Sequence, residues 1–120
     1  MSTLKVTNIS DGTDTVETGY VVNGSAKAWV NGQSDATVLD SLNISSGVDT
    51  DVGTYEYTYT SSFSSGNYSS QSEARIGSQN SYTANTQSKL VGSLTIRCYA
   101  VATDTKSDRE NMATAHGDLA

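Results

Sequence analysis

The sequence predicts an all-β protein: an antiparallel β-sandwich or small barrel with an extended N-terminal arm. Three observations lead there. Gly and Ser/Thr/Asn/Asp clusters recur every ten residues or so along 120 residues that contain no proline, which is the punctuation of many short strands. The segments between them are rich in Val, Thr and Tyr, and the best of them alternate apolar with polar residues, the period of a strand. Helical periodicity is weak throughout.

Residues 1–25 read as an arm, and residues 26–120 as the β domain. In the arm, Leu4, Val6 and Ile9 mark a short extended piece, followed by a polar Thr/Asp/Gly stretch to Gly19. Too few apolar residues are present for it to fold alone, so these three are candidates for docking on a neighbour. The first domain strand is 26–30, with Ala26, Ala28 and Val30 on one face and Lys27 and Trp29 on the other. A weaker strand follows at 37–44. The clearest strand is 55–60, where Tyr55, Tyr57 and Tyr59 fall on one face between polar residues. Residues 61–72 are Ser-rich and read as a long loop, overlapping a weak strand at 68–76. A second outward loop is expected at 77–88. Residues 93–101 form a strong strand with Leu94, Ile96, Cys98 and Ala100 on its core face. Residues 112–119 close the domain as a last strand, and 87–90 and 107–112 each have room for a turn of helix. The core candidates are therefore Trp29, Tyr55, Tyr57, Tyr59, Leu94, Ile96 and Cys98, with Trp29 included for its size.

Composition restricts what such a fold does. Leu, Ile, Val and Phe together number 21 of 120 residues, and the net charge is −6. That is close to the disordered class, except that seven tyrosines supply large buriable rings. A shared core in an oligomer reconciles the two. The acidic balance, with seven dispersed basic residues, argues against nucleic-acid binding and against an anionic membrane surface. No apolar run has the length of a membrane span, and residues 1–4 have no signal-peptide core. Assembly in a cytoplasm is the simplest expectation.

Catalytic chemistry finds no support. His116 is the single histidine and no triad signature surrounds it. Cys98 is the single cysteine, so it reads as a small buried hydrophobe rather than a nucleophile or disulfide partner. One His and one Cys cannot supply a zinc site within a subunit. The acidic turns at 11–14 and 49–51 lack the spacing of a calcium loop. The four glutamates, Glu17, Glu56, Glu73 and Glu110, show no glycosidase signature. The expectation is a non-enzyme without a cofactor or metal.

One stretch carries a family likeness. Residues 24–31, ending Ala26-Lys27-Ala28-Trp29-Val30-Asn31, are followed by Thr37-Val38, Asp40-Ser41, Asn43-Ile44-Ser45-Ser46 and then 53–59. This order resembles a module of phage tail-fibre and related virion proteins. The opening at Ser2 to Val6 and the closing Gly117-Asp118 fit the same pattern. The chain departs from it at Gly32, where an aromatic is usual, and at Tyr57 and Tyr59, where Val and Phe are usual. The resemblance implies a virion structural part, assembled as a homotrimer with other virion proteins and presenting loops to a host-surface glycan or protein. Capsid decoration is the alternative, since a small trimer of this kind also suits a cement protein bridging shell subunits. The resemblance supplies no catalytic residue.

Overall fold

The computed structural model describes residues 1–75 and 81–120. Two antiparallel sheets pack face to face as a β-sandwich, with a small hairpin and a short helix ahead of them. The first sheet has β5 (Ile44–Asp51), β6 (Thr54–Tyr59), β9 (Ser93–Ala100) and β8 (Tyr82–Lys89) side by side, and β10 (Thr105–Lys106) continues past the end of β6 along β9. The second runs β4 (Val38–Leu42), β3 (Ala28–Gly32), β11 (Asn111–His116) and β7 (Ser69–Ala74).

The alternation seen in sequence becomes alternation of burial. Along β6, Tyr55, Tyr57 and Tyr59 are buried and Glu56 and Thr58 only partly so. Along β9, Leu94, Ile96 and Cys98 are buried, and register sets Leu94 beside Tyr57 and Ile96 beside Tyr55. The facing sheet is built from small residues: Ala28, Val30 and Gly32 on β3, Ala113 and Ala115 on β11, and Ala74 on β7. Large rings from one sheet thus fill the room left by small side chains of the other, as interior packing requires. A chain poor in Leu, Ile and Val builds its core this way.

Gly32 shows how tight the fit is. A Cβ added there would stand 2.0 Å from the Tyr57 hydroxyl oxygen and 3.0 Å from its Cζ. Two of the departures from the tail-fibre-like pattern, Gly32 and Tyr57, therefore meet in space: the tyrosine occupies what a side chain at position 32 would need.

The sandwich closes differently along its two sides. At Asn43 the chain crosses from β4 in one sheet to β5 in the other. Asn43 adopts a left-handed φ of 59°, a conformation that asparagine tolerates better than most residues. Its side-chain amide donates to Ser61 O at 2.9 Å and its Oδ1 accepts from Ser61 N at 2.7 Å. On the opposite side, β7 lies against β8, and the Thr86 hydroxyl bonds Ser70 at 2.9 Å and Ser72 at 3.2 Å.

Several expectations change. The single strand foreseen at 37–44 breaks at the Asn43 corner, and β5 carries a register shift between Ile44 and Ser46. The Ser-rich stretch read as loop over 61–72 contributes β7 from Ser69 onward, and Phe63 and Tyr68 within it are buried. The loop foreseen at 77–88 is strand from Tyr82. Residues 87–89, where a helical turn was expected, belong to β8 because β9 offers them an open edge. No helix forms over 107–112, whose last two residues begin β11. The last residue of the strand foreseen at 68–76 and the first residues of the loop foreseen at 77–88 lie outside the described residues. Trp29 is not in the core: it lies on the outer face of its sheet, partly buried, because strand alternation sends Ala28 and Val30 inward instead.

The arm is more structured than a bare extended segment. It forms a hairpin of β1 (Asn8–Ser10) and β2 (Thr15–Glu17), followed by helix α1 (Thr18–Gly24). The radius of gyration is 16.7 Å over a 50 × 30 × 24 Å envelope, against roughly 13.6 Å for a compact domain of this length. The arm accounts for this elongation, since none of residues 1–25 is buried.

Candidate functional site

The interior holds a network of hydrogen-bonded side chains. The Tyr55 hydroxyl donates to Ser34 O at 3.1 Å and accepts from Arg109 N at 2.9 Å. Tyr57 donates to Asn111 Oδ1 at 2.7 Å. Asn111, itself fully buried, donates through Nδ2 to Arg109 O at 3.0 Å and Gln33 O at 3.3 Å. Tyr59 donates to the Tyr68 hydroxyl at 3.1 Å, which donates onward to Ser93 O at 3.0 Å. Each buried hydroxyl is thus satisfied, which removes the main cost of burying it. Burial raises all four phenol pKa values above 10.0, that of Tyr57 to about 12. Phe63 stacks on Tyr68 with centroids 4.2 Å apart and meets Tyr59 edge-on at 4.9 Å.

The residues scanned for chemistry are placed as follows. Cys98 is fully buried, and desolvation pushes its thiol up to about 11, so the nucleophilic thiolate is suppressed. His116 is partly buried at the end of β11. In the first acidic turn, Asp11 Oδ1 accepts from Thr13 N and Asp14 N, both at 2.9 Å. Those bonds lower its pKa and commit one oxygen to the turn itself. In the second, Asp51 pairs with Lys106. Among the described residues, no group of three His, Cys, Asp or Glu is placed to hold a metal ion, and no helix is long and apolar enough to cross a membrane.

The arm is the feature that the fold leaves unfinished. Leu4 is 85 % exposed and Val6 and Ile9 are also exposed. Val16, paired with Ile9 across the hairpin, and Tyr20, Val21 and Val22 of α1 are exposed with them. A two-stranded hairpin is marginal in water, as is a helix of seven residues. Polar contacts shape the arm: Asp11 and Gly12 make the turn, and the Thr18 hydroxyl donates to Val6 O at 2.8 Å and Thr7 O at 2.9 Å. At its far end, Lys27 Nζ caps α1 by donating to Val22 O and Ser25 O. Among the described residues, nothing covers these apolar side chains.

Sequence reading found Leu4, Val6 and Ile9 but missed α1. Its Tyr20-Val21-Val22 core, one aromatic and two β-branched residues, is a poor helix former, its N-cap Glu17 makes no side-chain capping bond, and its first turn has no acidic residue. Only the run of three apolar residues signalled an element. No family model, curated protein or solved structure matches the chain.

Proposed function

We propose that the chain is a structural module of a bacteriophage particle, of the tail-fibre or appendage kind, which docks through residues 1–25 and holds its sandwich outward. The carrying observation is the arm: a set of uncovered apolar side chains projecting from a body whose own core is closed. Such a surface is stabilised by burial against a neighbour, at roughly 25 cal/mol per Å². The neighbours are other virion proteins and further copies of this chain in a homotrimer. The meeting of Gly32 with Tyr57 supports the tail-fibre-like resemblance, because two of its departures compensate one another.

Antibody–gold labelling of purified particles tests the proposal. Label on tails or fibres supports it. Label spread over heads replaces it with capsid decoration, and particles without label refute both.

A further inference from the structure

The dipeptide Asn-Gly occurs twice in the chain, at 23–24 and at 31–32, and the fold puts the two copies in opposite surroundings. Asn31 and Gly32 lie inside β3, between β4 and β11. Asn31 stands across from Asp40 and Met112, and Gly32 from Val38 and Asn111. Gly32 is buried, with the Tyr57 hydroxyl where a side chain would go. Asn23 and Gly24 end α1 and are both exposed. A Cβ added at Gly24 would meet nothing within 4 Å, and no residue of α1 is buried. Helical geometry directs the Gly24 N–H to Tyr20 O. That bond is weakly held, because seven residues with two adjacent valines make a helix that opens at little cost. Asn23 also lines a polar cleft of about 300 Å³ where the arm meets the sandwich, together with Asn67, His116 and Asp118.

We propose that Asn23 is a site of spontaneous deamidation that alters the joint between arm and sandwich, while Asn31 is spared as long as the chain is folded. The Gly24 amide nitrogen attacks Asn23 Cγ. Its proton and the side-chain NH2 leave together as ammonia, and a succinimide ring closes. Water then opens the ring at either carbonyl, giving aspartate or isoaspartate. A following glycine favours the attack, since it has no Cβ in the way and a freely rotating backbone. At Asn23 the last turn of α1 has only to open locally, and such openings lie at the low end of the free energies within a protein. At Asn31, Gly32 must leave the ladder and turn against Tyr57. That amounts to unfolding the sandwich, a state on the order of a thousandfold or more rarer than the native one. The product changes the joint. A carboxylate at position 23 stands at the C-terminal end of α1, where negative charge is unfavourable, and it shares the cleft with Asp118. The cations that oppose this are Lys27, already held by Val22 O and Ser25 O, and His116 when protonated. Isoaspartate also lengthens the backbone by one methylene, which the helical ladder does not accommodate. The last turn of α1 is thereby loosened and the arm hangs on a freer tether.

The full chain tests this when aged at neutral pH, native in one sample and unfolded in guanidinium in another. Trypsin separates the two sites, since cleavage after Lys5, Lys27 and Arg75 leaves Asn23 in peptide 6–27 and Asn31 in peptide 28–75. Fragment masses locate each amide-to-acid conversion, and enzymatic methyl transfer reports isoaspartate. The expected result is conversion of native Asn23 within tenfold of its rate in guanidinium, and conversion of native Asn31 at least a hundredfold slower than in guanidinium. Gly24→Ala is expected to slow Asn23 at least tenfold and to leave Asn31 unchanged in guanidinium. In the aged native chain, the amides of residues 21–25 are expected to exchange hydrogen at least threefold faster. Protection of native Asn23 as strong as that of Asn31 overturns the proposal, and so does conversion of both at one rate in the native chain. Unchanged amide exchange after Asn23 has converted overturns the effect on the joint. The chemistry needs no docking partner, so its outcome and that of the gold labelling are read separately.

Discussion

The contact between Gly32 and Tyr57 makes a quantitative test of how this core is packed. In Gly32→Ala, the new Cβ falls 2.0 Å from the Tyr57 hydroxyl oxygen, and the ring must move. Overpacking of this kind costs about 1–3 kcal/mol. The displaced hydroxyl also leaves Asn111 Oδ1, 2.7 Å away in a fully buried residue, without its donor, which adds about 1–3 kcal/mol. We expect a total near 4 kcal/mol. Tyr57→Phe loses only the hydrogen bond and is expected to cost about 2 kcal/mol. In the double variant that bond is already gone and the nearest ring atom is Cζ at 3.0 Å, a contact relieved by a few tenths of an ångström. Its cost is therefore expected near 3 kcal/mol, against about 6 kcal/mol for simple addition. Urea unfolding followed by Trp29 emission measures all three, and the single variants bracket the signal needed. Additivity within about 0.5 kcal/mol would show that Tyr57 does not occupy the space beside Gly32, and the large-on-small account of the core would fall with it.

Other predictions follow from the same structure. Asn43→Ala is expected to lose about 2–4 kcal/mol, from two hydrogen bonds and a left-handed φ without a polar side chain; Asn43→Gly should recover about half of that in urea unfolding. Deleting residues 1–25 should leave the thermal midpoint of the sandwich within about 2 °C, because no arm side chain is buried; a fall of ten degrees would make the arm part of the core. Cys98 should resist a thiol reagent at pH 8 in the native state and react at the rate of unfolding, whereas stoichiometric labelling within minutes would contradict its burial. Alkaline stability has a definite sign. The folded pKa values of Tyr55, Tyr57, Tyr59 and Tyr68 are raised, so their contribution is complete below about pH 10 and is lost as pH rises toward the folded values. Four such groups each remove about 1.4 kcal/mol per pH unit, so unfolding is expected within one to three units above pH 10. Phenolate absorbance from these tyrosines should then appear together with the loss of circular dichroism, and ionisation ahead of unfolding would refute the buried network.

Local pattern determined much of this protein. Alternation over 55–60 and 93–101 placed both strands and their inward faces, since a strand's side-chain period is independent of what it packs against. The same alternation put Trp29 opposite Ala28 and Val30; ranking it as core by size ignored that a strand cannot turn one residue inward without turning its neighbours outward. The scarcity of branched aliphatics pointed to the tyrosines as bulk, and the arm's docking residues were legible as apolar side chains in a polar stretch. Only the tertiary structure decided the rest. β8 presents Tyr82, Ala84, Thr86 and Ser88 toward the interior, a face too polar to announce a strand, and it exists because β9 needs an edge partner. Phe63 and Tyr68 hide in a Ser-rich stretch, and they are buried by packing on Tyr59 together with distant partners, Ser93 for Tyr68 and Leu119 for Phe63. Gly32 reads as a turn residue beside Asn31, yet its lack of a side chain makes room for a hydroxyl that comes from 25 positions away. Hydrogen-bond partners of buried tyrosines, and the side chains left without cover, follow from which sheets meet, and a linear pattern does not contain that information.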